Sequence, residues 1–135
     1  MCRYDKPAYE WWRSFAGVPE EVGEARAFVG TLFSREAACD DAVWIAGELA
    51  TNAIQHTRSG RPGGKFTVQA AQGDAALFVA VYDEGGDGEP LFGTAEPDEW
   101  SVDGRGLFGV EAIAVRCGTC PTSNGGRVVW AALPV

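Results

Sequence analysis

Three polar residues at a spacing of four, Glu48, Asn52 and His56, could form one chemical surface on a helix. Residues four apart on an α-helix lie on neighbouring turns of one side, so a carboxylate and a carboxamide would point the same way. The Asn52 carbonyl oxygen is a hard ligand that suits Mg²⁺, which also takes phosphate oxygens and water. Glu48 could orient or deprotonate a nucleophile. The alternative is a solvated polar face, which most amphipathic helices have.

A second candidate group is Asp83, which ends an apolar stretch just before Gly85 and Gly86. Its carboxylate can accept a hydrogen bond from an exocyclic amine. Glycine has no side chain and would let a flat ring approach closely. An ordinary turn at the end of a strand is the alternative interpretation.

The third candidate is the glycine-rich segment at residues 104–109, which reads GRGLFG and spells GxGxxG. A dinucleotide-binding fingerprint needs an apolar strand before it and further βα structure after it. Here acidic, irregular residues precede the segment, and only 26 residues follow Gly109. No Rossmann domain is therefore predicted. Backbone N–H groups at a helix start beside Arg105 would still suit phosphates, and a helix start without a ligand is the alternative.

Apolar spacing predicts three helices that would position these groups. The first begins near Pro19 and keeps its apolar period to Leu32. The second runs from a cap at Ser34 to about Thr57 and carries the polar triplet. The third begins at residue 104 or 105 and ends near Arg116.

Alternating apolar stretches predict strands at 9–16, 66–71, 75–82 and 128–133, with turns at Gly73-Asp74 and at residues 124–126. Between the third strand and the third helix lies a loop of about 84–104, which is longer than a compact domain normally leaves without structure. Such loops are often functional lids. The element pattern predicts a single α+β domain over residues 1–135 without an internal repeat.

The charge balance of the chain limits the kinds of partner that the protein is expected to bind. The chain has 135 residues, 19 acids and 11 bases, which give a formal net charge of −8. This charge disfavours direct contact with nucleic acid or an anionic membrane. The sequence contains neither an apolar membrane span nor a secretory signal pattern, so we expect a cytoplasmic protein with protein or small-molecule partners.

Four cysteines, at positions 2, 39, 117 and 120, are predicted to be free thiols, because a chain of this size can form its own core. Cys117 and Cys120 have the spacing of a redox pair or of half a zinc site. A zinc site needs four ligands, and the single histidine, His56, belongs to another motif. Metal or redox chemistry at this pair is therefore not favoured.

The order of the motifs resembles a known family. Glu48-x-x-x-Asn52-Ala53, Asp83-x-Gly85 and Gly104-Arg105-Gly106-Leu107 are similar to the N-box, G1 box and G2 box of the histidine-kinase-like ATPase (GHKL) fold found in gyrase, Hsp90 and sensor kinases. Within that family the chain resembles the small anti-sigma-factor serine/threonine kinase branch. The similarity extends over nearly the whole chain, from Pro19 to residues 125–130.

This resemblance implies a two-layer α/β sandwich in which helices cover one face of a mostly antiparallel mixed sheet. ATP would lie between the central helix and the lid at about 84–104, with Mg²⁺ on Asn52. Asp83 would take the adenine amino group, and Gly85 would lie under the ring. The implied ATP-binding residues are Asn52, Asp83, Gly85, Gly104, Arg105, Gly106 and Leu107.

The resemblance also implies an activity and partners. Glu48 would be the general base for a serine hydroxyl of an anti-anti-sigma (STAS-type) protein, and a sigma factor would be a second partner. A homodimer is a further expectation. His56 would border the site rather than accept phosphate, because sensor kinases carry their phosphorylated histidine on a separate helix.

Three features depart from the family pattern, and two of them, Val128 and the acidic lid, leave a second function open. The second glycine of the G1 box is displaced, and the lid carries several carboxylates. Val128 stands where a threonine near adenine is common, which would remove a hydrogen bond to the base. A non-catalytic ATP-sensing module that regulates a partner by shape is therefore the alternative to the kinase.

Overall fold

The chain folds around one antiparallel sheet. The structure is a computed structural model that describes residues 7–86 and 106–135. Its elements, in chain order, are β1 (Tyr9–Ala16), α1 (Glu21–Leu32), α2 (Cys39–His56), a 3₁₀ turn (Arg58–Gly60), β2 (Lys65–Gln72), β3 (Ala76–Asp83), α3 (Gly106–Ile113), β4 (Arg116–Pro121) and β5 (Arg127–Pro134). Within those ranges, no helix combines the length and the apolar character that crossing a membrane would need.

The five strands lie in the order β1-β2-β3-β5-β4, and each neighbouring pair is antiparallel. The predicted hairpin at Gly73-Asp74 joins β2 to β3, and the turn at 124–126 joins β4 to β5. Both are confirmed, as is the α+β class with its open sheet and three helices. Short polar turns fix the strand register, so the functional residues at the strand ends take defined positions.

The main core lies between the helices and one face of the sheet. On α2, Ala42, Ile45, Leu49 and Ala53 recur at helical spacing and are almost completely buried. They face alternate residues of the central strands, which are Phe66, Val68, Ala70, Leu77, Val79, Val81, Val129, Ala131 and Leu133. Because strand side chains alternate, Asp83 projects from the same face as Val81.

The opposite face of the sheet carries a second apolar cluster. It consists of Ala71, Phe78, Ala80, Cys120, Val128, Trp130 and Ala132. Between β1 and β2 on this face, Gln69 is 1% exposed and its Nε2 donates to Glu10 Oε1 over 2.6 Å. The two clusters show to which face of the sheet each strand residue points. Only residues on the helix-side face can lie beside Asp83.

Two helix boundaries differ from the prediction. α2 begins at Cys39 rather than at Ser34, because residues 34–38 form tight turns in which Glu36 N donates to Phe33 O and Cys39 N to Glu36 O. The residue before α2 is Ala38, which offers no side-chain cap. α3 ends at Ile113, and Arg116 belongs to β4.

The cysteines are not all thiols. Cys39 and Cys117 are free, whereas Cys120 is disulfide-bonded, so the prediction of free thiols is wrong for Cys120. Cys117 packs against the helix-side core and Cys120 lies in the second cluster, because residues three apart on a strand point to opposite faces. The described residues contain no cluster of three or more His, Cys, Asp or Glu side chains that could hold a metal.

Candidate functional site

Asp83 ends β3 as a buried carboxylate with one oxygen available for a ligand. The residue is 7% exposed, and its Oδ1 accepts a hydrogen bond from the Gly85 backbone N–H over 2.7 Å. Its Oδ2 is buried and has no hydrogen-bond partner among the residues that the structure describes. A buried acceptor without a partner costs free energy. A ligand that donates a hydrogen bond to Oδ2 would remove this cost.

Burial dominates the electrostatics of this carboxyl. Desolvation raises the pKa of Asp83 above the ordinary aspartate value of 3.8, against the hydrogen bond from Gly85 and the charges of Arg127 and Arg58, which lower it. Glu84 adds a smaller raising effect. A carboxyl whose pKa is perturbed by burial and by specific charges is a candidate for function.

The turn after α2 fastens this helix to the end of β3. Arg58 N donates to Gly85 O over 2.7 Å, and Glu84 N donates to Ser59 Oγ over 2.9 Å. Ser59 is completely buried, and its own N–H donates to Thr57 Oγ1 over 3.0 Å. These bonds hold the C-terminal end of α2 beside the strand that carries Asp83.

Glu48 and Asn52 both lie on α2, as predicted. Asn52 is 5% exposed, and Glu48 is half-buried one turn earlier. One turn beyond Asn52 lies His56, which is half-buried as well. A Cβ built on Gly86 would lie 3.1 Å from the His56 carbonyl oxygen. The structure therefore brings the end of the helix that carries the N-box residues against the segment that follows Asp83.

The donor set fits Mg²⁺ only with help from a ligand. Asn52 offers one amide oxygen to a metal, whereas Glu48, one turn away on the same side, is the candidate base and not a predicted ligand. Mg²⁺ is usually held by one or two protein groups together with phosphate oxygens and water. The described residues fit that mode of binding better than a complete protein cage.

Gly85 must be glycine for reasons of backbone packing. It has φ +79°, and a Cβ at this position would lie 2.5 Å from the carbonyl oxygen of Gly125 and 3.4 Å from Cα of Gly126. A Cβ on Gly126 would in turn lie 2.3 Å from the Asp83 carbonyl oxygen. Contact between Gly85 and an adenine ring stays a prediction. Sequence reasoning missed the part played by residues 125 and 126, which the Asn-Gly-Gly turn could have indicated.

Val128 does not face Asp83, so the expectation that this residue lies near the adenine position is wrong, while the number of hydrogen bonds made to adenine stays a prediction. Val128 pairs with Tyr82 and packs in the second cluster, on the sheet face opposite to Asp83. The residue directly across from Asp83 is Arg127. The site therefore has a cation beside its carboxylate where the sequence suggested only a missing hydroxyl.

Part of the G2 box can be placed. Gly104 and Arg105 lie outside the described residues, as does most of the predicted lid, while α3 begins at Gly106 and includes Leu107. α3 packs on α2 where Gly109 meets Trp44, since a Cβ on Gly109 would lie 2.7 Å from Trp44 Cη2. Because Trp44 is one turn before Glu48, the turn of α3 that includes Gly109 lies near the part of α2 that carries Glu48. The roles of the four G2 residues stay predictions.

Comparison with known proteins agrees with this arrangement. The sequence model of one protein family, the histidine kinase-like ATPase domain, matches residues 15–133. The match includes Glu48, Asn52, Asp83 and the glycine-rich segment at residues 104–109, within which α3 begins. No individual curated protein matches the chain.

Proposed function

Because the chain belongs to the family of histidine kinase-like ATPase domains, we propose that it is a Mg²⁺-dependent protein serine/threonine kinase of the anti-sigma-factor branch. Its substrate is a serine hydroxyl of an anti-anti-sigma (STAS-type) partner, and it also sequesters a sigma factor. Family membership itself implies an ATP-binding regulatory domain, generally with Mg²⁺. The kinase activity and the partners are the proposed part.

The observation that carries the proposal is the buried Oδ2 of Asp83, which has no partner among the described residues. The exocyclic amine of adenine is a hydrogen-bond donor that would satisfy it. With the base there, the triphosphate extends toward the side of α2 that carries Asn52 and Glu48. The start of α3 supplies backbone N–H groups to the phosphates.

Phosphoryl transfer then depends on positioning and on charge stabilisation. Mg²⁺, when bound, neutralises charge on the phosphate oxygens. Asn52 would hold the metal and orient the phosphates. Glu48 accepts the proton of the serine hydroxyl while the serine oxygen bonds to the γ-phosphorus and ADP leaves.

One of the two features that favoured a non-catalytic ATP-sensing module no longer supports it. It drew on Val128 as a defect in adenine recognition, but Val128 points away from Asp83. The charges in the lid, its other reason, lie outside the described residues. A substitution of Glu48 distinguishes the two functions, because only the kinase needs this residue as a general base.

The test compares Glu48→Gln with Glu24→Gln, which removes the same charge from the exposed side of α1. Each protein is incubated with γ-labelled ATP, Mg²⁺ and a candidate anti-anti-sigma domain, and ATP binding is measured separately by calorimetry. Loss of a general base lowers transfer by about 10²- to 10⁴-fold, whereas ATP affinity is retained. Glu24→Gln should behave as the unaltered chain.

Each result has a distinct meaning. Transfer that is lost only in Glu48→Gln supports the kinase. Saturable ATP binding without transfer to any partner identifies the sensing module instead. If ATP does not bind in the presence of Mg²⁺, both functions are wrong.

A further inference from the structure

A cavity of about 430 Å³ lies at the C-terminal end of α2, between the helix and the turn that follows it. Its lining includes Gln55, His56, Thr57, Arg58, Arg61 and Gly86. The surface that these residues form is mainly polar. Neither of the proposed steps, adenine recognition at Asp83 and transfer at Glu48, uses Arg61 or this cavity.

The charge of the cavity differs from that of the chain. Among the residues that the structure describes, two guanidinium groups, of Arg58 and Arg61, line it, and no carboxylate does. Both residues are exposed, and within the described ranges neither has an ion pair. The chain as a whole has a net charge of −8, so an acidic ligand is attracted here by local groups and not by the overall field.

The guanidinium group favours one ligand chemistry. Arginine presents several N–H donors in a planar fork that matches a carboxylate in two parallel hydrogen bonds. Two such forks in one cavity can engage two neighbouring carboxylates. A segment rich in Asp or Glu offers these groups together with backbone carbonyls that can accept a hydrogen bond from the Gln55 amide.

Arg58 connects this cavity with the nucleotide site. Its backbone N–H donates to Gly85 O over 2.7 Å, and its Nη2 lies 3.1 Å from the position that a Cβ on Gly85 would occupy. Its charge also acts on the Asp83 carboxyl, whereas Arg61 has no such effect among the causes of the pKa shift of Asp83. One arginine therefore faces both sites, and its neighbour faces only the cavity.

We propose that this cavity binds a carboxylate-rich segment of a protein partner, and that Arg58 makes this binding and nucleotide binding at Asp83 mutually antagonistic. The antagonism rests on the proposed nucleotide site. A carboxylate on Arg58 neutralises its charge and draws the guanidinium from Asp83, which favours the protonated carboxyl and weakens acceptance of the adenine amine. Since coupling between two sites is reciprocal, ATP weakens binding of the acidic segment by the same factor.

The experiment uses the full chain and a fluorescein-labelled hexaglutamate peptide, with hexaglutamine as the neutral peptide. Anisotropy should show saturable binding of hexaglutamate only. Arg61→Gln should weaken it at least about tenfold, which corresponds to loss of one charge-assisted pair. Arg35→Gln is the matched control, because Arg35 is exposed on the segment between α1 and α2 and has the same charge.

Calorimetry with ATP and Mg²⁺ completes the design. Arg61→Gln should keep the ATP affinity of the unaltered chain, and saturating hexaglutamate should lower that affinity about fivefold. Arg58→Gln should weaken peptide binding and abolish the effect of the peptide on ATP. Inorganic phosphate is the competitor that distinguishes a small-anion site from a peptide site.

Several results would overturn the inference. Absence of saturable hexaglutamate binding would do so, as would equal weakening by Arg35→Gln, which would indicate a general charge effect. Phosphate binding as tight as that of the peptide would identify a small-anion site. If hexaglutamate does not bind while ATP does, this inference alone is contradicted. If ATP does not bind while hexaglutamate does, the proposed function and the antagonism are contradicted, and the acidic-segment site is supported.

Discussion

Arg127 lies directly opposite Asp83 in the ladder between β3 and β5. Residues that face each other across two antiparallel strands project from the same side of the sheet, so the cation stands beside the carboxylate. Its charge lowers the pKa of Asp83, although burial raises that pKa by more. Arg127 does not bond the second carboxylate oxygen, which has no partner among the described residues. The pair therefore supports the charge of Asp83 and leaves its acceptor oxygen to a ligand.

The base preference of the site follows from the two oxygens of Asp83. In Asp83→Asn the amide oxygen keeps the hydrogen bond from Gly85 N, so the NH₂ group faces the position of the ligand. An adenine amine would then meet a donor, and ATP affinity should fall by about 5- to 150-fold, from a cost of about 1–3 kcal/mol for an unmade buried hydrogen bond. ITP, which has a carbonyl in place of the amine, should bind Asp83→Asn better than the unaltered chain. Competition calorimetry with both nucleotides measures the two shifts.

Asp74→Asn is the control for this substitution, because Asp74 is exposed in the turn between β2 and β3. It should leave both affinities unchanged. If Asp83→Asn binds ATP as tightly as the unaltered chain does, Oδ2 of Asp83 does not accept a hydrogen bond from the base.

Asp83→Asn, which should weaken ATP binding, should increase the stability of the folded chain at neutral pH. The pKa of Asp83 is raised in the folded state, so its contribution to stability is fully present below pH 3.8, the ordinary aspartate value, and is lost as the pH rises through the folded-state pKa. At pH 7 the folded chain therefore bears the cost of a buried charge. Asp83→Asn should be more stable than the unaltered chain at pH 7, and this advantage should shrink toward pH 4.

Urea unfolding at a series of pH values from 4 to 8 checks this expectation. Asp74→Asn, in which the carboxyl is exposed, should show no comparable change with pH. A difference between Asp83→Asn and the unaltered chain that stays constant over this range would contradict the assignment of the pKa shift to Asp83.

Gly85 should tolerate a side chain less well than another glycine with the same backbone conformation. Gly85→Ala places a methyl group at φ +79° and 2.5 Å from Gly125 O, so we expect the free energy of unfolding to fall by about 2–4 kcal/mol from strain and overpacking together. Gly63 has φ +81° and open space around it. Gly63→Ala should therefore cost only the conformational part, about 1–2 kcal/mol.

Denaturant unfolding of the two variants isolates the contact with Gly125. ATP binding should also weaken in Gly85→Ala, because the chain shift moves Asp83, and should be retained in Gly63→Ala. Equal losses of stability in the two variants would mean that the contact has no cost and that φ alone requires glycine at position 85.

The sequence was sufficient for features that depend on local pattern. Alternation predicted β1 and the hairpin of β2 and β3, and helical spacing predicted the α2 positions that carry Glu48 and Asn52. The predicted start of α2 was wrong because Ser34 has the residue type of a helix cap. In the structure Phe33 is completely buried, and the chain makes two turns before the helix begins. Local signals do not contain that tertiary constraint.

The residues around Asp83 could not be predicted for a related reason. Whether Arg127 or Val128 lies beside Asp83 depends on register, and a shift of one residue exchanges the two faces of a strand. The need for glycine at position 85 comes from Gly125, forty residues later in the chain. Contacts between distant segments of this kind leave no periodic pattern in either segment.

The contact between Gly109 and Trp44 should fix the position of α3 on α2. Gly109→Ala places a methyl group 2.7 Å from Trp44 Cη2, and we expect a loss of about 1–3 kcal/mol in the free energy of unfolding, as for other overpacked contacts. Trp44→Phe removes the ring atoms concerned, so the double variant should recover part of that loss. Gly23→Ala is the control, because Gly23 lies in α1 with open space around it and should gain about 0.5–1 kcal/mol from helix propensity. ATP affinity should fall in Gly109→Ala, since the start of α3 is the proposed phosphate site, and rise again in the double variant. If Gly109→Ala instead stabilises the chain as Gly23→Ala does, Trp44 can move aside at no cost, and the contact does not set the position of α3.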